Sequence, residues 1–152
     1  MKKGEISAAL DALKQIKMPK VSDKELRNTL IDNHFNLLDA GKKADAEIEN
    51  RRKVFLAAYK AESEEINDLQ QELSMTSDRE RQLEITRKIN SHKDYLAAVK
   101  EFNESVKKLH EEPVEGIIPI NRKAFMDAIR DMDNMSLSWV EALYPLFETE
   151  TE

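Results

Sequence analysis

The chain has 152 residues, 36% of them charged and 40% hydrophobic, with a net charge of −6. Three Gly and four Pro are too few turn-formers for a β-sandwich or an α/β fold, and the absence of Cys excludes a disulfide framework, a thiolate metal site and a cysteine nucleophile. What remains is an all-α reading, with long helices and wide solvated faces.

Residues 1–17 read as a short amphipathic helix, because Ile6, Leu10, Leu13 and Ile16 recur at helical spacing with Ala8, Ala9 and Ala12 between them. Met18-Pro19 ends it, since the residue before proline avoids the α region. Ser22-Asp23-Lys24-Glu25 reads as a capping box with Ser22 as the cap. It opens a long helix predicted over 23–73, whose apolar positions include Leu26, Leu30, Leu37, Leu38, Ala44, Ile48, Phe55, Tyr59, Ile66, Leu69 and Leu73. Their spacing in threes, fours and sevens suits a coiled-coil-like seam. Gly41 interrupts the run and marks either a kink or a close helix contact.

Ser77-Asp78-Arg79-Glu80 reads as a second capping box, opening a helix over 78–110 with the stripe Ile85, Ile89, His92, Leu96, Val99 and Val106. Two long amphipathic helices joined by a short connection predict an antiparallel hairpin. Charge agrees: the acids Glu62, Glu64, Glu65, Asp68 and Glu72 would lie beside the bases Arg79, Arg81, Arg87 and Lys88. Counting back from the turn sets Leu109 level with Lys43 or Ala44. The first part of the long helix then overhangs its partner, and Leu26, Leu30, Leu37 and Leu38 must be covered by the two ends of the chain.

The stretch 113–120 holds two prolines and a glycine and is predicted to be extended, lying in a groove or adding one short strand. Residues 121–147 should form two short helices, capped by Asn121 and Ser136. Together 1–147 read as one helical domain, a hairpin stalk with a small head, and 148–152 as an acidic disordered tail.

Few residues invite chemistry. His34 and His92 stand on apolar stripes, where partly buried imidazoles are the ordinary outcome and a metal-binding helical protein the sharper alternative. The Glu-x-x-His pairs of a di-iron bundle are absent, as is H-E-x-x-H. Asp131-Met132-Asp133-Asn134-Met135-Ser136 begins like a calcium loop but lacks its Gly and its closing Glu, and reads as a polar turn. No nucleophile elbow or phosphate loop is present, so neither an enzyme nor a cofactor is expected. Lys42, Lys43, Arg51, Arg52 and Lys53 form a basic stretch that a nucleic-acid-binding regulator would use against phosphates, but Asp45, Glu47 and Glu49 interleave it. From Asp131 onward every charged residue is acidic, which argues against nucleic acid at that end. Ile117, Ile118 and Ile120 are too apolar for an exposed loop, and Trp139 is the sole tryptophan. These four are the candidate partner-binding residues; for Trp139 a core role is the first reading and a partner anchor the alternative.

The layout as a whole resembles small helical proteins encoded by tailed phages and prophages. It has a short helix ending in Ile16-Lys17-Met18-Pro19, a long charged helix with Glu49-Asn50-Arg51-Arg52-Lys53, and a late Ile117-Ile118-Pro119-Ile120 segment before a short helix and an acidic end. The resemblance implies a setting in particle assembly and supplies no catalytic residue. With no run of apolar residues near the ~18 of a membrane span and no apolar stretch after Met1-Lys2-Lys3, a cytoplasmic protein is expected, or one assembled into a phage-like particle. It should act through a protein partner or as a homo-oligomer.

Overall fold

A computed structural model describes residues 1–149. The protein is all-α, with seven α-helices among the described residues: α1 Ile6–Lys14, α2 Lys24–Ala58, α3 Lys60–Met75, α4 Arg79–Ser91, α5 Lys93–Glu111, α6 Arg122–Ile129 and α7 Leu137–Leu143. No helix among them is long and apolar enough to cross a membrane. The chain divides into two compact units, Met1–Asp45 with everything from Lys108 onward, and Ala46–Lys107.

In the first unit several segments converge on one core. Helix α1 buries Ile6, Ala9, Ala12 and Leu13, α2 contributes Leu26, Leu30 and Leu37, and the C-terminal part supplies Phe125, Ile129, Leu143 and Leu146. Phe125 is fully buried and its ring lies 5.2 Å from that of Phe147. Gly41 does not interrupt α2. A Cβ there would meet Ile6 Cγ2 at 3.4 Å, an ordinary van der Waals distance, so α1 lies against α2 at Gly41 without requiring a glycine.

Helix starts follow the predicted motifs with a shift of one residue. Asp23, not Ser22, caps α2 by accepting from Leu26 N at 3.1 Å. Likewise Asp78, not Ser77, caps α4 by accepting from Glu80 N at 3.1 Å. In each Ser-Asp pair the carboxylate has the advantage, because an anion at a helix N-terminus also meets the positive end of the helix dipole. Asn121 caps α6 through Ala124 N at 2.9 Å. Ser136 occupies the position before α7, but its hydroxyl meets Ser138 Oγ at 2.9 Å instead of a backbone donor.

The extended segment after Pro113 is held as a strap. At its start Val114 N donates to Met1 O at 2.9 Å and Lys3 N to Glu112 O at 2.8 Å. At its end Ile120 N donates to Leu146 O at 2.8 Å and Glu148 N to Ile120 O at 2.9 Å. These form two isolated bridges, Lys2 with Pro113 and Ile120 with Phe147, where a groove or a short strand was predicted. Between them Asn33 of α2, fully buried, clasps Ile118: its Nδ2 donates to Ile118 O and its Oδ1 accepts from Ile118 N, both at 2.8 Å. Asn36 Nδ2 donates to Gly116 O at 2.8 Å, and Gly116 adopts φ +78°, open to glycine at little cost.

The second unit is an antiparallel hairpin. Arg51 Nη1 donates to Ser105 O at 2.9 Å, Phe55 stacks on Phe102 and Tyr95 at 5.6 and 5.7 Å, Tyr59 meets Tyr95 at 6.0 Å, and Glu72 bonds Arg81 Nε at 2.6 Å. Neither arm is the continuous helix predicted over 23–73 and 78–110. The first is interrupted at Tyr59 (φ −127°, ψ 31°) and the second at His92 (φ −79°, ψ 59°). No Pro or Gly stands at either place, so composition carries no warning. The interruptions fall where four bulky rings, Phe55, Tyr59, Tyr95 and Phe102, crowd a two-helix seam. Of the predicted charge pairing, Glu72–Arg81 forms, whereas Lys88 pairs with Glu84 on its own helix; outside that prediction, Glu65 Oε1 comes within 3.5 Å of His92 Nε2.

The tail predicted over 148–152 lies, beyond Thr149, outside the described residues. Glu148 and Thr149 are exposed.

Candidate interaction surfaces

The four candidate partner-binding residues do not share one exposed surface. Ile120 is 1% exposed and belongs to the core, because the bridge to Phe147 draws it inward. Ile117 and Trp139 pack against the same core from its edge. Ile118 alone is open, 40% exposed, and both of its backbone polar groups are already bonded by Asn33. The strap thus presents one apolar side chain and has no free hydrogen-bonding edge at that residue.

The arginines of the basic stretch are already engaged. Arg51 is tied to Glu47 and to Ser105 O, and Arg52 Nε pairs with Glu49 at 3.2 Å. Lys42, Lys43 and Lys53 are exposed, but the two most fork-like phosphate ligands, the arginines, already spend donors on their own helix. Two of the acids that interleave the stretch, Glu47 and Glu49, are the partners.

The histidines stay apart as well. His34 packs edge-on against Phe35 with ring centroids 5.6 Å apart. His92 closes the interruption of the second hairpin arm beside Glu65, and His110 is exposed near the end of α5, its backbone close to Gly4. Among the described residues no three His, Asp or Glu side chains come together as metal ligands would. Asp131–Ser136 is the turn between α6 and α7, anchored by Asn134 Nδ2, which donates to Gln15 O at 3.3 Å.

Several open grooves remain among the described residues. In the hairpin one of about 550 Å³ lies at the helix interruptions, lined by Tyr59, Glu62, His92, Asp94, Tyr95 and Glu101 among others. Its lining also includes Lys93 and Ser91, whose hydroxyl donates to Lys88 O at 2.6 Å. In the first unit one of about 350 Å³ lies between α6 and α7, and its lining is mainly apolar. Met126, Met132 and Met135 are among its lining residues. Only Met132 is buried, whereas Met135 is half-buried and Met126 is 41% exposed.

Exposed apolar residues also mark both units. Helix α2 carries Ile31 and Phe35 one turn apart, 37% and 59% exposed, and the hairpin carries Val54, Leu56, Leu83 and Leu96. No family model, curated protein or solved structure matches the chain.

Proposed function

We propose that this protein is a non-enzymatic helical interaction protein that works by assembling with another protein or with further copies of itself, in a phage-like particle as the resemblance implies. The observation that carries this reading is the thin core of the hairpin. Between Ala46 and Lys107 only Ile66, Leu69 and Ile85 are buried, while Val54 is 72% and Leu83 52% exposed. Two antiparallel helices enclose one stripe each, and a hairpin of this length gains most when a third surface covers what the pair leaves open.

Sedimentation velocity over a range of concentrations tests self-assembly, and a photo-crosslinking amino acid at Val54, Leu56 or Leu83 in the producing cell tests a foreign partner. The reading expects either a species heavier than one chain or a discrete crosslinked product from the hairpin. A monomer at every concentration, with no crosslink from any of the three positions, overturns it.

A further inference from the structure

Both arms of the hairpin leave the helical conformation at a single residue, Tyr59 in the first and His92 in the second, and the two places nearly coincide along the pair. The Tyr59 ring lies 6.0 Å from that of Tyr95, the third residue of α5. His92 Nε2 lies 3.5 Å from Glu65 Oε1, near the start of α3. An α-helix is a stiff rod, because bending it stretches hydrogen bonds along one side. A hairpin broken in one arm would still be braced by the other. Here the helix facing each break itself ends within about one to two turns of it, so neither arm braces the other for long.

The backbone closes up on either side of each break. In the first arm Tyr59 N donates to Phe55 O at 3.0 Å and Ser63 N to Tyr59 O at 2.9 Å. In the second His92 N donates to Ile89 O at 3.2 Å and Leu96 N to His92 O at 3.0 Å. A change of direction therefore falls on one residue in each arm, as at hinges, where a few residues at element ends absorb the change in φ and ψ.

Each half also holds together by itself. Beyond the breaks α3 and α4 bury Ile66, Leu69 and Ile85 and share the Glu72–Arg81 pair. Before them Phe55 stacks on Phe102 and Arg51 bonds Ser105 O. The open groove of about 550 Å³ lies at the breaks themselves, lined by Tyr59, His92 and Tyr95 among others. On that side the halves have room to tilt without driving buried side chains together.

We propose that Tyr59 and His92 form a paired hinge, about which the turn half of the hairpin, 60–91, swings as a unit against 46–58 and 93–107. Exposed apolar residues stand on both sides of it, Leu83 on the swinging half and Val54, Leu56 and Leu96 on the other. Bending then changes the shape of the surface they present. The hinge follows from the backbone and packing of the hairpin and does not rest on the interaction reading: a hairpin without any partner would bend as well.

The test is pulsed electron double resonance on the whole chain, in which freezing traps the populations of a hinge motion. The chain contains no cysteine, so nitroxides attach only where cysteine is introduced, and dilution with unlabelled chain restricts the signal to distances within one molecule. Asn50→Cys with Gln70→Cys sets exposed labels on either side of Tyr59, about 30 Å of helix apart. Arg87→Cys with Glu104→Cys does the same around His92, and Asp68→Cys with Arg87→Cys keeps both labels in the swinging half. Expected are distance distributions for the first two pairs that are broader than the third by about twofold or more. Tyr59→Ala with His92→Ala should narrow them, since alanine is the strongest helix former and lets both arms run through. Equal widths for the three pairs overturn the proposal whether or not the alanine variant folds, as does breadth in one arm alone. Breadth that the folded alanine variant leaves unchanged also overturns it, because the motion then lies elsewhere in the arms.

Discussion

The two units differ in how many directions enclose a side chain. Fifteen buried apolar residues form one cluster in the first, drawn from α1, α2, the strap, α6 and α7, so a residue such as Phe125 meets neighbours on every side. The hairpin has three buried side chains and a row of half-buried rings. A helix packed on a single partner can hide only one stripe, whatever its length. The sharpest way to measure the difference is a pair of truncations. Phe125→Ala should cost about 3–5 kcal/mol, the range for removing a fully buried ring. Ile85→Ala, although Ile85 is also fully buried, should fall at the low end for its kind, about 2 kcal/mol, because two helices can close on the gap. Urea unfolding of the two variants reads this directly. Equal costs would mean that the hairpin is enclosed as well as the first unit, as it would be inside an assembly.

A smaller effect tests how the first unit holds its strap. Asn33→Ala leaves Ile118 N and O without their partner and should cost about 2 kcal/mol. It should also accelerate hydrogen exchange at the Ile118 amide more than at Ile120, whose amide bonds Leu146 O. Asn36→Ala should matter less, since it serves a single carbonyl at exposed Gly116. Equal protection of Ile118 in the wild type and Asn33→Ala would show that the two terminal bridges suffice to hold the strap.

Much of this architecture was legible because periodicity reports which face is buried. The all-α class, the helix after Asn121 and the turn at 131–136 follow from apolar spacing and capping chemistry alone. The strap was legible as extended but not as clasped. Asn33 sits at the spacing of Leu30 and Leu37, where a polar residue reads as a gap in the stripe, and its partner lies 85 residues away. The interruptions at Tyr59 and His92 were not legible, because helix propensity is local and the crowding of Phe55, Tyr59, Tyr95 and Phe102 arises only when two distant segments meet. The burial of Ile120 was not legible for a related reason. Ile120 and Met126 are both apolar in the sequence, but the bridge to Phe147 holds Ile120 in the core while Met126 stays 41% exposed.

The smallest expected effect lies in the hairpin, at a contact made of charge instead of packing. Arg81 spans from Glu72 to Glu84, with Nη1 2.9 Å from Glu84 Oε2, and its guanidinium is held above its ordinary range by hydrogen bonds to both carboxylates. Glu84 is correspondingly held below the ordinary carboxylate value of 4.5, first by the hydrogen bond from Arg81, then by the charges of Arg81 and Lys88. A carboxylate whose folded value is depressed contributes stability that is present above its unfolded value and is lost as pH falls through the folded one. The gap in urea midpoint between wild type and Glu84→Gln should therefore be open at about pH 6 and shrink as pH falls below the ordinary value of 4.5 and through the depressed folded one. Because the contact is exposed, the gap should also narrow in about 1 M salt, where the screening length falls to about 3 Å. A gap that persists in acid would mean that Glu84 acts through packing of its stem, and the hairpin would then owe more to burial than its three enclosed side chains indicate.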